Sequence, residues 1–452
     1  MKELPELFRE QFPYSAPPRI LFDGIEVPAA LPSDIFITDT TFRDGQQARP
    51  PYTVKQIETL FDFLHRLSGP RGVIRQSEFF LYTKKDRDAA YACMEKGYLF
   101  PEVTSWIRAV KQDFALVKEM GIKETGILTS ISDYHIHLKL GMSREQAMKQ
   151  YLDVVTAALE AGIRPRCHLE DITRADMKGM VIPFVRKLVE LSEESGIPVK
   201  VRLCDTMGLG VSYPGAMLPR SVPRIIHCLR TETGITSDLL EWHGHNDFYK
   251  VLTNAATAWL YGVGGINGTL LGFGERTGNT PIEALLIEYM GLTGDTSVDT
   301  TIITEIAEYF TRELNYQVPP MTPFIGSQFN VTSAGIHADG VVKNEEIYNI
   351  FDTGALLNRP LGVHVTDKAG SAGVAFWVNQ RLGLGGDERI DKRHEGIQRM
   401  TVWVAEQYKD GRTTSLSDVE LLVAAKEYLP EFFAEESEAA AGEATGTDTL
   451  LP

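Results

Sequence analysis

Only four of the 452 residues are cysteine (Cys93, Cys167, Cys204 and Cys228), and no CxxC pair occurs. So thin a scatter excludes a disulfide framework, and the thiols read as reduced core residues. Long apolar runs are missing too. Nothing approaches the roughly 18 consecutive apolar residues of a bilayer-spanning helix. The opening MKELPELFREQF is charged where a secretory leader is apolar. These absences predict a cytoplasmic protein with no membrane partner. Basic residues are in short supply as well: 45 Lys and Arg face 61 Asp and Glu, a formal net charge of −16. That balance argues against nucleic acid as a partner, because a phosphate backbone needs a basic surface.

What is present suits a large globular domain followed by a smaller one. Residues 1–33, rich in proline and charge, read as an N-terminal arm. From 34 to 305 short β-rich runs alternate with amphipathic helical stretches. The runs are DIFITDT, VIRQSEFF, VTSWIR, TGILTSI, RPRCHLED, PVKVRLCDT, LLEWHGHND and INGTLLGFG. Eight strands, each with a helical segment after it, predict an α/β fold, a (β/α)8 TIM barrel; an open doubly wound sheet is the alternative. The clearest helix starts at Ser143, where Ser-Arg-Glu-Gln is a capping-box pattern, and the spacing puts Met148, Leu152, Val155 and Leu159 on its inner face. A linker is expected over 306–324, around PPMTPF, then a smaller α-rich domain over 325–430 and a disordered acidic tail over 431–452.

Several polar segments fall at predicted strand ends, and the carboxyl rim of a barrel is where chemistry collects. His243-Gly244-His245-Asn246-Asp247 puts two imidazoles on one side of strand 7, since residues two apart share a face. Neutral imidazole binds divalent cations. Thr40-Thr41-Phe42-Arg43-Asp44-Gly45-Gln46-Gln47 follows strand 1, near strand 7 in a closed barrel, so Asp44 can join the histidines with Arg43 as a fixed cation beside them. Glu170 ends strand 5 and is the better candidate base, because the metal has ligands elsewhere. Cys204-Asp205-Thr206-Met207-Gly208 ends strand 6, and strand 8 leads into the glycine-rich GFGERTGN. Each segment alone also reads as an ordinary barrel-end polar residue or a surface ion pair.

Together, in this order, TTFRDGQQ, HLEDITRAD, CDTMG, HGHND and GFGERTGN resemble the metal-dependent acyltransferase and lyase barrels. That family includes 2-isopropylmalate, citramalate and homocitrate synthases and 3-hydroxy-3-methylglutaryl-CoA lyase. The resemblance covers about residues 34–375. It implies Asp44, His243, His245 and Asn279 as ligands of a divalent metal, Mn²⁺ or Mg²⁺. It implies Arg43 as the group that polarises the ketone, Glu170 as acid or base, and Gln47 and Thr206 as substrate contacts. In the second domain SAGIHADG resembles the segment whose histidine reaches the partner subunit's barrel. His337 is therefore expected to move protons there, with Asn344 and Tyr348 near acyl-CoA and substrate, and a homodimer with shared sites follows.

The implied reaction joins the methyl carbon of acetyl-CoA to a 2-oxo acid and releases CoA. QQARPP (46–51) and the strand-2 segment lack the small apolar character of an isopropyl pocket, and Arg49, Lys84, Lys85 and Arg108 are available to a second carboxylate. Arginine is the better fork for one. A dicarboxylic 2-oxo acid therefore fits better than pyruvate or 2-oxoisovalerate. Between dicarboxylates the resemblance of the whole chain implies oxaloacetate, with 2-oxoglutarate second, and Arg108 is the residue expected to hold the distal carboxylate. A biotin-dependent carboxyltransferase is disfavoured by the absence of a His-Thr-His-Asp segment and of an AMKM carrier. A reverse-running lyase is disfavoured by the His337 domain, and a non-catalytic metabolite sensor by the intact set of polar residues.

Overall fold

The eight β-rich runs become strands β1 (Phe36–Asp39), β2 (Ile74–Phe79), β3 (Glu102–Ile107), β4 (Glu124–Ser130), β5 (Arg164–Glu170), β6 (Lys200–Asp205), β7 (Leu240–Gly244) and β8 (Gly265–Gly268). Each pairs in parallel with the next, and β8 pairs back to β1, so the sheet is a closed barrel. The computed structural model describes residues 4–433, in two units that divide between 302 and 303.

Helices α1 (Val54–Ser68), α2 (Lys84–Glu95), α3 (Phe114–Glu119), α4 (Arg144–Glu160), α5 (Ile182–Ser195), α6 (Val222–Thr233), α7 (Val251–Leu260) and α8 (Ile282–Thr293) follow the strands in turn. Ser143 caps α4: its side chain accepts from the Gln146 N–H, and the Gln146 side chain accepts from the Ser143 N–H. The buried face of α4 is Ala147, Tyr151, Val154, Val155, Ala158 and Leu159. It is rotated from the expected stripe, with Met148 and Leu152 at its edge, because small alanines let the helix lie close to its neighbours. The arm is fixed along the barrel by the Gln11 amide on the Leu218 carbonyl (2.9 Å), the Arg224–Asp23 ion pair and the Ala30 N–H on the Leu260 carbonyl (2.8 Å).

The barrel interior holds ions where branched aliphatic side chains are the usual filling. Arg166 and Arg202 are wholly buried. Arg166 contacts Glu78 (3.1 Å), Glu124 (3.3 Å) and Glu241 (3.3 Å), and Arg202 contacts Glu78 (3.1 Å) and Glu241 (2.7 Å). Gln76, Thr38 and Thr104 add further hydrogen bonds, while Arg166 Nε is buried without a partner. Period-2 strands aim all of these inward, and the pairing offsets part of the desolvation of each charge.

The second unit begins with α9 (Ile302–Glu313), which occupies the first part of 306–324 as a helix. Beyond it come α10 (Gly335–Lys343), α11 (Thr353–Leu357), α12 (Gly370–Leu382), α13 (Glu395–Glu406) and α14 (Asp418–Tyr428), with a two-stranded sheet of β9 (Val331–Thr332) and β10 (Gly362–Val363). Its core is built from Val374, Val378, Ile397, Met400, Val404, Leu421 and Leu429. Most of the expected tail, 434–452, lies outside the described residues. Among the described residues no helix is long and apolar enough to cross a membrane.

Candidate active site

After β1 the chain turns sharply. Asp39 accepts from the Thr41 N–H (2.9 Å), while Thr41 Oγ1 accepts from the Leu270 N–H beyond β8 (2.9 Å). That tie delivers Arg43 and Asp44 to the rim, at the start of a single helical turn, Asp44–Gln47. From β7, His243 and His245 arrive on the same side. The potential ligand atoms of Asp44, His243 and His245 all lie within 4.8 Å of one another. Asp44 Oδ2 is 3.4 Å from His243 Nε2 and 3.8 Å from His245 Nε2, and the two Nε2 atoms are 3.3 Å apart. Asn279, from the loop after β8, donates its amide to Asp44 Oδ2 (2.7 Å), and its amide oxygen is buried without a partner. Gly274 has to be glycine there: a Cβ would fall 1.5 Å from that oxygen.

The protonation of His243 follows from its neighbours. The Asn267 amide nitrogen donates to the Thr38 carbonyl (3.2 Å) and hydroxyl (3.1 Å), which leaves its oxygen facing His243 Nδ1 at 2.7 Å. Nδ1 therefore carries the proton, and Nε2 turns a lone pair toward Asp44. Burial lowers the pKa of both imidazoles, so they stay neutral. Burial would raise the Asp44 carboxyl, but the Arg43 charge, aided by the hydrogen bond from the Asn279 amide, holds it below its ordinary value. An oxygen anion and two neutral nitrogens converging on one buried point suit a divalent cation. Asn267 supports them from behind. Asn267→Leu is expected to weaken metal affinity by roughly 10–100-fold, read by metal titration; unchanged affinity would show that the tautomer is fixed another way.

Arg43 is held from below. Its Nε donates to Glu78 Oε1 (2.9 Å), NH1 lies 3.5 Å from Asp44, and the guanidinium sits over the Trp106 ring at 5.7 Å. Glu78 is the same carboxylate that Arg166 and Arg202 grip, so the ionic interior fixes the rim. Glu170 ends β5 with Ser130 donating to it, His135 Nδ1 at 2.9 Å and Lys139 at 3.3 Å from both oxygens. Burial would raise its pKa, but His135, Ser130 and Lys139 lower it to about 2. It is an anion throughout the neutral range.

The other predicted residues have partners and surroundings of their own. Gln47 is exposed at the end of its helical turn. Thr206 Oγ1 accepts from the Asp171 N–H (2.8 Å) and donates to the Cys204 carbonyl (3.3 Å). Arg108 is 63% exposed and gripped at two points by Asp113 (3.1 and 3.2 Å). Lys84 pairs with Asp88, and Lys85 donates to the Tyr52 carbonyl. Asp205 is a loop fastener that accepts from Thr173 and the N–H groups of Leu209 and Gly210. In the second unit His337 lies against Tyr348, their rings 4.4 Å apart, and Asn344 caps the turn before Tyr348. Sequence reasoning missed Glu78, Asn267, Ser130, His135 and Lys139. Asn267 lies opposite His243 in the β7–β8 register, a placement that only barrel closure reveals.

Residues 34–310 match the HMGL-like family, so the chain belongs to that family of barrel enzymes. Over 430 residues it is 56% identical to the citrate (Re)-synthase of Syntrophus aciditrophicus, covering 95% of this chain and 68% of that one. It is 55% identical to the citrate (Re)-synthase of Clostridium kluyveri, covering 94% of both. The crystal structure of HMG-CoA lyase from Bacillus subtilis superposes with a TM-score of 0.51 at 20% identity, over 65% of this chain and 97% of that one, and shares the barrel fold.

Proposed function

We propose that the chain is a citrate (Re)-synthase, condensing acetyl-CoA with oxaloacetate and hydrolysing the thioester with water to give citrate and CoA. The observation that carries this reading is the convergence of Asp44, His243 and His245 on one buried point with Arg43 alongside. The two citrate (Re)-synthases at 55–56% identity point to the acceptor. Asp44, His243, His245 and Asn279 would hold Mn²⁺ or Mg²⁺, which supplies a Lewis acid for the 2-oxo acid when bound. Arg43 would place a permanent positive charge where the ketone oxygen becomes an alkoxide. Glu170 would take a proton from the thioester's methyl group. Gln47 and Thr206 are proposed contacts to the acceptor, and Arg108 would exchange Asp113 for its distal carboxylate.

His337 and Tyr348 are proposed to complete the barrel of a partner subunit, which makes the working unit a homodimer in the cytoplasm. Mixing inactive His337→Ala and Glu170→Ala subunits should then recover activity in hybrids. No recovery after demonstrated exchange would remove the shared site.

The experiment that tests the function is CoA release from acetyl-CoA across a panel of acceptors, before and after EDTA. Oxaloacetate is expected to be fastest. EDTA should abolish turnover, and Mn²⁺ or Mg²⁺ should restore it. A faster rate with 2-oxoisovalerate would mean an apolar acceptor pocket and overturn the dicarboxylate reading. Full activity without metal would overturn the mechanism.

A further inference from the structure

The N-terminal arm, which also bonds the loop after β6, reaches the turn after β4. The wide π-helical turn Tyr134–Lys139 after β4 carries His135 and Lys139, which bond Glu170 alongside Ser130 of β4. The arm grips the start of that same turn. The Glu6 N–H donates to Asp133 Oδ2 (2.6 Å), and the Tyr134 hydroxyl donates to the Leu7 carbonyl (2.8 Å). Arg9 lies over the Tyr134 ring at 5.6 Å, and Arg174 does so at 4.1 Å. A few residues on, Gln11 and Phe12 are buried, so the tip of the arm is anchored. Asp133 is also held by Arg144 at two points, 2.9 and 2.8 Å, and Arg144 reaches Asp176 (2.9 Å).

We propose that residues 6–9 of the arm are positioning residues: by bonding Asp133 and Tyr134 they keep His135 and Lys139 on Glu170. A short π-type turn is poorly stabilised by its own backbone and commonly marks a functional site. Such a segment sits at the low-stability end of a structure unless something outside it fixes its conformation. His135 directly follows Tyr134 in the chain, so releasing Asp133 and Tyr134 from the arm frees its backbone to rotate. Glu170 then keeps only the Ser130 bond and loses the two contacts that His135 and Lys139 add. The inference rests on the catalytic role proposed for Glu170.

The test uses the full chain. Glu6→Pro deletes the backbone donor to Asp133. Glu6→Ala keeps that donor and shares with Glu6→Pro only the loss of the Glu6 side chain, which accepts from the Phe8 N–H (2.8 Å). Tyr134→Phe deletes the hydroxyl while keeping the ring. Losing one such bond corresponds to a roughly five- to tenfold effect. Glu6→Pro and Tyr134→Phe should each lower kcat by that factor. The KM for acetyl-CoA and the metal affinity should stay within about twofold, and Glu6→Ala should resemble wild type. In a His135→Ala background, already slowed, neither substitution should reduce kcat further, because coupled groups are non-additive. A merely structural arm gives losses that multiply in that background, and that result overturns the proposal, as does an unchanged kcat in both variants. A Glu170→Gln enzyme with wild-type kcat removes the catalytic reading itself and the inference with it. An inactive Glu170→Gln beside unaffected arm variants removes the arm proposal alone.

Discussion

Glu170→Gln is expected to lower kcat by about two to four orders of magnitude, the usual contribution of a placed general base, while metal affinity stays near wild type. The amide is nearly isosteric and still accepts from Ser130, but it cannot accept a proton. Because His135, Ser130 and Lys139 outweigh burial and lower its pKa to about 2, the carboxylate is anionic at every working pH. A carboxylate so well stabilised is a weak base in the resting state. Its strength therefore depends on how its donors rearrange when substrate binds, and His135→Ala should be slow for a different reason from Glu170→Gln. The sign of the pH effect follows. A depressed carboxylate contributes stability above its unfolded value, near 4.5, and loses it as pH falls toward about 2. The acid limb of a rate profile near neutral pH must then come from some other group. Glu170→Gln retaining more than a tenth of wild-type kcat would take the base role away from it.

Strand parity made the convergence of Asp44, His243 and His245 legible. His243 and His245 had to share a face, and closing the barrel had to bring Asp44 toward them. The barrel itself was equally plain, because every β-rich run was short and followed by a helical period. The supporting residues were not. Glu78, Arg166, Arg202 and Glu241 alternate along strands as solvent-facing residues do, and only closure turns that face inward. Asn267 acquires its role from register with His243, which no local pattern encodes. Arg108 looked available because a pairing five residues away, to Asp113, leaves no mark on composition. His135 lay in a segment that matched no strand end, and its importance comes from a turn that folds back over Glu170.

The buried ions set up the second large effect, on stability rather than rate. Glu241 is wholly buried, 2.7–2.8 Å from Arg202 and 3.3 Å from Arg166, with the Thr38 hydroxyl at 3.4 Å. Burial would raise its pKa, but Arg166, Arg202 and Lys200 hold it well below the ordinary carboxylate range. Glu241→Leu leaves two guanidiniums in the barrel with one fewer counter-charge. Breaking one side of a buried pair costs about 3–5 kcal/mol. For a domain of this size that is a fall in Tm of roughly 6–20 °C, measured by calorimetry with metal present. Since Glu241 makes no bond to Arg43, kcat at low temperature should change less than Tm does. The double variant Glu241→Leu, Arg202→Met should recover much of the loss, because an apolar pair needs no counter-ion. Acid should act in the same direction. The stability that Glu241 contributes is complete above its unfolded value near 4.5 and is lost as pH falls through the lower folded value. Wild type should therefore lose stability on acidification more steeply than the double variant. A single variant as stable as wild type would mean that Glu78 and Glu124 alone neutralise both arginines, and that the third carboxylate is not needed to hold the interior together.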